Sequence, residues 1–547
     1  MLSRIRFTFG ANPGAPPLDL NTGPLTVFVG PNNSGKSLAL VEIEQTIRGS
    51  QDPRLIVAEM EGKPLSLTDV TDLLHSRRVE GVTAEGHVRV ARLDPIDGLQ
   101  DQRGVRPVDV HAALGHWHVY AGLASLFTVR LDGRRRLNLV EPRAAGDLLG
   151  PAQNHLHALF QDDARRIRLR EIVHGAFGRY LVVDPTHTGQ LRLRLSSRPP
   201  VDNAEEQAWD GRARAFHAAA TPIADFSDGV RAFTGLVAAV LAIDFRVMLI
   251  DEPDAFLHPP LAARLGETLA RLAADRDCNL FASTHSASFV MGAIQAGVPV
   301  NIVRLTYEAG VPSARLLAAA EVQRMMRDPL MRSTGVLEAL FHRGAVVTEA
   351  DQDRAFYQEV NARLLNAGER AADGVRFLNA QNKQTVRRIM RPLREMGVPA
   401  AAVVDLDFVK DTDSRNTLHD AFVPQALIDA LGTLRGQIDA AFRAKQIEPA
   451  AGGLGALDRA DKDAAENWLN SLADYGIFLV PVGELEKWLG HLGITGNKSV
   501  WLPRTFSRMG DDPSDGTYVR PAQDDVWAFV RRIGGWIHNP ARRGMPD

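Results

Sequence analysis

One cysteine, Cys278, stands in the whole sequence. A disulfide framework and a cysteine-ligated metal site are therefore excluded within one chain, and the composition fits a reducing compartment, the cytoplasm. Neither sign of charge dominates. The 63 Lys and Arg against 66 Asp and Glu leave a formal charge of −3, so no global field attracts nucleic acid and any such contact must come from local basic patches. Long apolar runs are missing too. The most apolar stretch, residues 233–243, is about half the ~20 residues of a membrane span and is closed at once by Asp244 and Arg246. The opening MLSRIRFTFG alternates like a strand and lacks the apolar core of a signal peptide, so neither secretion nor a membrane partner is expected. What is present is the balance of a folded protein, 45% hydrophobic and 24% charged, in a chain too long for one core. Two large α/β domains are expected, over residues 1–335 and 336–547.

Within the first, strands are expected at residues 5–9 and 25–30, paired like a hairpin across the turn-forming GANPGAPP. Residues 52–220 carry mixed signals and read as an insertion, an arm or dimerisation region. The runs at 233–243 and 247–250 then read as a buried helix and a buried strand. The stretch RSTGVLEALFHRG marks the junction. In the second domain, a helical, Ala-rich insert is expected over about residues 411–474, and a C-terminal extension closes the chain.

GPNNSGKS, from Gly30 to Ser37, fits G-x-x-x-x-G-K-[ST] in full, between an apolar strand (LTVFV) and a helix-forming run. The backbone of Gly30, Asn32, Asn33, Ser34 and Gly35 would cradle phosphates at a helix N-terminus, with Lys36 on the β/γ-phosphates and Ser37 on Mg²⁺. In RVMLIDEPDAFLHPP a buried strand delivers Asp251, for Mg²⁺, and Glu252, to orient or deprotonate the attacking water. FASTHSASFV ends a further apolar run at Thr284 and His285, and a histidine there can contact the γ-phosphate. Together these segments resemble the ABC ATPase superfamily, in the branch holding the SMC, RecF and OLD-type proteins. The resemblance implies ATP as cofactor, and it gives Ser227 and Gly229 of FSDGVRAFTGL the signature role on the opposing protomer's ATP. A homodimer, or a higher homo-oligomer, follows from that role.

The second half repeats another pattern: an apolar strand ending in acids. AVVTEADQD presents Glu349 and Asp353, with a helix expected to start near Asp351; AAAVVDLD presents Asp405 and Asp407; IFLVPVGELE presents Glu484 and Glu486. If Asp405 and Asp407 alternate along a strand, they share one face about 7 Å apart. About five or six converging carboxylates would repel one another and take up protons unless cations were bound. An all-oxygen set favours Mg²⁺ or Mn²⁺, and a pair of ions suits attack on a phosphodiester.

This arrangement resembles a Toprim domain, a Rossmann-like α/β fold, and EALFHRGAVVTEADQDRAFY is most similar to the OLD (overcoming lysogenisation defect) nucleases. The resemblance implies an ABC/SMC-like ATPase domain followed by a Toprim nuclease domain, cutting DNA with metals on Glu349, Asp353, Asp405, Asp407 and Glu486, Glu484 in reserve, and with Lys498 stabilising phosphate charge. Ala350 departs from the glycine usual after the first glutamate, which bears on the tightness of that turn. Arg376, Lys383, Arg387, Arg388, Arg391, Arg531, Arg532, Arg542 and Arg543 are candidate contacts to the DNA backbone. Relatives serve in phage defence, including the Gabija nuclease, so an accessory defence protein is a further partner the resemblance allows. A DNA-binding clamp resembling RecF, the ATPase subunit of a transporter, and a topoisomerase or primase are the competing classes.

Overall fold

The strand Leu25–Val29 is buried at every position and lies inside a six-stranded sheet. The structure, a computed structural model, describes residues 2–50, 52–133 and 135–546. Across that sheet the order is Val311–Leu317, Val300–Glu308, Leu25–Val29, Asn279–Ser283, Val247–Asp251 and Thr128–Leu131, parallel throughout except at the Val311–Leu317 edge. Both faces are covered, which is why its strands read as unbroken apolar runs. Phe28, Leu249, Phe281 and Val303 pack toward Ala39, Leu40 and Ile43 of the helix Lys36–Ile47. Val27, Ile250, Ala282 and Ile302 face the core that holds the helices Asp228–Ala242 and Pro259–Asp275.

Two expectations about the first domain are corrected. Leu2–Phe7 does not form a hairpin with the strand at 25–29; it pairs with Asp19–Asn21 and Val57–Gly62 in a separate antiparallel sheet. The stretch 52–220 is not one insertion either, because Val57–Gly62 completes that small sheet and Thr128–Leu131 forms the edge of the main one. Parallel partners need long crossovers, so nothing local to the four residues TVRL announces their place. The remainder holds the hairpin Val88–Asp94/Gly98–Val105, the helices His155–Gln161 and Asp163–Phe177, and the hairpin Tyr180–His187/Gln190–Ser196.

The second domain is built on a four-stranded, wholly parallel sheet in the order Val375–Asn379, Gly344–Thr348, Ala400–Val404, Ile477–Leu479. The helix Asp351–Asn366 starts where the sequence placed it. Between the last two strands run Ser414–Asp420, Gln425–Ala444, Pro449–Gly452 and Arg459–Ala473, the helical segment expected there. Among the described residues no helix is long and apolar enough to cross a membrane.

The halves share one core. Apolar side chains run without a break from Leu317 through Val322, Val336 and Leu340 into Ala345 and Val347 of the second sheet. Arg304, on the strand beside Leu25–Val29 and in register with Val29, is 3% exposed. Its guanidinium donates to the carbonyls of Leu340 (3.3 Å), Gly397 (2.8 Å) and His342 (2.9 Å), all across the junction.

Candidate active sites

The loop after Leu25–Val29 turns at Gly30, whose φ of 141° lies in the region that glycine alone enters easily. A Cβ at Gly30 would stand 2.0 Å from the carbonyl oxygen of Leu305, so the loop depends on bare backbone at this point. Gly35, at φ 92°, caps the helix Lys36–Ile47 and aims its first N–H groups into the loop. The Lys36 ammonium donates to Gly30 O (2.9 Å) and Pro31 O (2.7 Å), and burial lowers its pKa to about 8 against the opposing charges of Glu252 and Asp251. Ser34 is buried beneath the loop, while Asn32, Asn33 and Ser37 are exposed on it. This is a phosphate cradle with a cation at its centre.

The carboxylates face that cradle. Asp251, the last residue of Val247–Asp251, accepts from the Ser37 hydroxyl at 2.9 Å and from Ser283. Both Ser37 and Asp251 therefore present oxygen at one point, the donor set Mg²⁺ takes. Glu252 is held at φ 49°, a left-handed conformation uncommon outside glycine, and its N–H donates to Ser283 O at 2.9 Å. That turn directs its carboxylate to within 3.7 Å of His285 Nε2, whose pKa is lowered by burial and by Lys36.

Ser227 caps the helix Asp228–Ala242 but makes no side-chain capping bond, and both Ser227 and Asp228 are exposed. At Gly229 a Cβ would meet Phe256 O at 2.9 Å, so the small residue lets this helix start press against the loop that follows Glu252. One residue escaped the sequence reading. Arg136 is wholly buried, donates to Asp251 O, and has Nε and Nη1 without a partner among the described residues, under the charges of Asp254, Glu252 and Asp251. It lies beyond the Asp132-Gly133 turn in a stretch with no motif, and only its burial reveals it.

In the second domain, Glu349 directly follows the fully buried strand Gly344–Thr348 and accepts the backbone N–H of Asp405 at 3.0 Å. Burial, then the charges of Asp405 and Asp407, push its carboxyl up to about 8. Asp405 is raised to about 6, by burial first, with Lys498 opposing. Lys498 stands at the start of the helix Lys498–Met509, 3.1 Å from Asp353 and 3.2 Å from Asp405. Asp353 also accepts the N–H of Ala350 at 3.0 Å, which closes the turn that a glycine was expected to close.

The single nest expected of these acids is corrected in two respects. Asp405 and Asp407 do not alternate along a strand: the strand ends at Val404, and a short 3₁₀ turn, Leu406–Lys410, carries Asp407. Among the described residues, no group of three or more His, Cys, Asp and Glu side chains is arranged to hold one metal ion. Lysines explain the spread, since Lys498 bridges Asp353 and Asp405 while Lys383 pairs with Asp407 at 2.9 Å. Two buried oxygens of these acids, Asp407 Oδ1 and Glu486 Oε2, have no partner among the described residues, and burial raises the Glu486 carboxyl. Glu484 caps the short turn Leu485–Lys487 beside it. Crowded acids with raised pKa values and unmatched lone pairs fit divalent cations in donor type.

The basic residues do not form an open stripe. Arg376 pairs with Glu338, Arg387 with Asp413 and Asp420, Arg388 with Asp328, Arg391 with Glu395 and Asp420, and Arg531 with Glu369. Arg532 is lowered by burial, and Arg542 turns toward the ATPase half.

A P-loop on a mostly parallel sheet, with paired carboxylates and a signature-like helix, defines an ABC-type ATPase; a four-stranded parallel sheet with acids at its strand ends defines a Toprim domain joined to it. Two family models agree with these halves: residues 118–291 match the family described as "AAA domain, putative AbiEii toxin, Type IV TA system", and residues 340–407 match "Overcoming lysogenization defect protein-like, TOPRIM domain". Together the two matches join an ATPase domain to a TOPRIM domain of the overcoming-lysogenization-defect-like kind. No curated protein matches the chain. Solved structures that resemble it include the SMC head domain from Thermotoga maritima (13% identity, 58% of this chain and 99% of that one, TM-score 0.30). Another is the SMC head with an extended coiled coil bound to the C-terminal domain of ScpA, derived from Pyrococcus furiosus (13%, 60% and 99%, TM-score 0.31). A third is CbiO1 from Clostridium perfringens, part of the ABC transporter complex cbiONQ (10%, 60% and 94%, TM-score 0.27). These superpositions are loose, and the class stands on the sheets and the family models.

Proposed function

We propose that this protein is an ATP-regulated, divalent-metal-dependent DNA endonuclease of the OLD type, acting as a homodimer or higher oligomer in phage defence or DNA processing. The observation that carries the reading is the meeting of Glu349, Asp405 and Lys498 at the strand ends of a Toprim sheet, from segments far apart in sequence. Glu349, Asp353, Asp405, Asp407 and Glu486 would hold Mg²⁺ or Mn²⁺, which supplies an activated water and neutralises charge on the scissile phosphate. Lys498 brings a fixed positive charge to the same point. In the first half Lys36, Ser37 and Asp251 hold ATP and its Mg²⁺, Glu252 and His285 act on the attacking water and γ-phosphate, and the exposed Ser227 and the half-buried Gly229 meet the nucleotide of a second copy.

A clamp that binds DNA without cutting it is favoured by one observation: the acids stand in lysine-bridged pairs, not in one group. Nicking of supercoiled plasmid in Mn²⁺ or Mg²⁺, with and without ATP, separates the two readings. The nuclease converts plasmid to nicked or linear form, and Asp405→Ala does not. Absence of metal-dependent cleavage in every nucleotide state overturns the endonuclease in favour of the clamp.

A further inference from the structure

Where the two halves meet there is a cleft of about 230 Å³ that neither active site uses. Its wall carries Arg304 and Arg315 from the ATPase sheet, and Arg343 and Arg542 from the Toprim half. Against these guanidinium groups the described lining holds one carboxylate, Glu308. Arg343 Nε lies 3.3 Å from Glu308, and the Glu308 side chain also has His538 Nδ1 at 3.9 Å. Asp373, outside the lining, takes Arg343 Nη1 at 2.7 Å, so two acids answer four guanidinium groups.

The hydrogen bonding is incomplete in the same place. Arg315 Nε is buried without a partner among the described residues, and its other nitrogens reach Glu395 O at 3.3 Å and Pro546 O at 3.4 Å, both long. Arg542 donates through Nε to Ile537 O at 3.1 Å, while its terminal nitrogens form no hydrogen bond among the described residues. The pKa of Arg304 falls to about 9, through burial first and then through Arg542 and Arg315; that of Arg542 falls to about 10 through burial. A guanidinium does not surrender its proton near neutrality, so the cost persists as positive potential in the cleft.

We propose that this interdomain cleft binds a phosphate-sized anion, inorganic phosphate or pyrophosphate, through Arg315, Arg343 and Arg542, and so ties the ATPase sheet to the Toprim half. Planar guanidinium forks match phosphate oxygens in geometry and charge. The volume lies below the roughly 300 Å³ at which pockets for drug-sized ligands begin, which suits a phosphate group. The site is independent of the nuclease assignment, since it uses none of that site's residues.

The test uses the full chain carrying Lys36→Ala, which disables the P-loop as a competing phosphate site. Phosphate and pyrophosphate are titrated at constant ionic strength against chloride, with calorimetric affinity and thermal midpoint as readouts. Saturable binding is expected, weakened about tenfold or more by Arg343→Gln and by Arg542→Gln, as loss of a charged hydrogen bond implies. Glu308→Gln removes the acid that lines the cleft and is expected to tighten binding severalfold, a gain that a damaged fold does not produce. Arg343 is partly exposed and keeps the test sound if the Arg542 variant misfolds. No saturable response beyond chloride, or equal affinity in the Arg343 and Glu308 variants and their parent, overturns the proposal. Short duplex DNA binding through Arg542 with no response to phosphate or pyrophosphate also overturns it.

Discussion

Lys498 donates to Asp405 at 3.2 Å, although the two stand 93 positions apart in the chain. The same ammonium reaches Asp353, so one lysine holds two acids drawn from different strand ends. Burial alone would lower the pKa of Lys498; Asp405 and Asp353 outweigh it and raise it instead. The lysine is therefore charged, and it competes with any divalent cation for the same oxygens.

Lys498→Met removes both the charge on the phosphate and that competition. Under the nuclease reading, nicking at saturating metal falls by about 100-fold, the loss typical of one electrostatic donor. The metal midpoint shifts to lower concentration, because Asp353 and Asp405 lose their counter-charge. A titration of plasmid nicking against Mn²⁺ checks both directions, and a midpoint moving upward contradicts the placement.

In the ATPase half, Glu252→Gln is expected to slow ATP hydrolysis by about 100-fold or more while ATP binding survives, as for loss of a general base. Lys36→Ala loses binding itself, since its ammonium lies inside the cradle. Fluorescent-nucleotide binding and phosphate release separate the two defects. Light scattering of the Glu252 variant with ATP reads a doubled mass if the signature helix of a second copy closes on the nucleotide.

Glu42 is 2% exposed and accepts the backbone N–H groups of Leu55, Ile56 and Val57, each at 2.8 Å. Glu42→Ala strands these donors between the P-loop helix and the small antiparallel sheet. The cost is roughly 3 kcal/mol or more. Thermal unfolding followed by circular dichroism is expected to fall by several degrees, with Glu42→Gln falling less because its amide oxygen still accepts.

Asp184 is fully buried among Arg192, Arg194 and Thr186. Burial would raise its carboxyl, but the hydrogen bonds from Thr186 and Arg194 prevail and hold it at about 2, below the ordinary 3.8. A lowered folded-state pKa gives stability that is complete above the unfolded value and is lost as pH falls from about 4 toward 2. Asp184→Asn is expected to lower stability at neutral pH and to flatten this acid limb. Unfolding curves recorded at pH 6 and through the acid range test it; an unchanged acid limb refutes the assignment.

Much of each active site was legible because its residues sit at the ends of buried apolar runs. LTVFV before Gly30, VMLI before Asp251, AVVT before Glu349 and AAAVV before Asp405 each mark a parallel strand, and a parallel strand delivers its next residue to the sheet edge. What was not legible depends on partners remote in sequence. Thr128–Leu131 joins the main sheet only because Val247–Asp251 accepts it, and its own four residues carry no such information. Arg387 and Arg391 looked like free cations until Asp420 met both. Asp407 looked like a strand residue because the local pattern D-x-D does not reveal that the backbone turns at Asp405.

Arg304 gives the chain a mechanical constraint. It sits in register with the last residue before the P-loop, yet all the hydrogen bonds of its guanidinium end on carbonyls of the other half. Removing the chain beyond residue 335 would strip the Arg304 guanidinium of every acceptor, so the two halves are not interchangeable modules on a tether. The P-loop strand and the carbonyls of Gly397 and Leu340 are thus joined by a strut one strand wide.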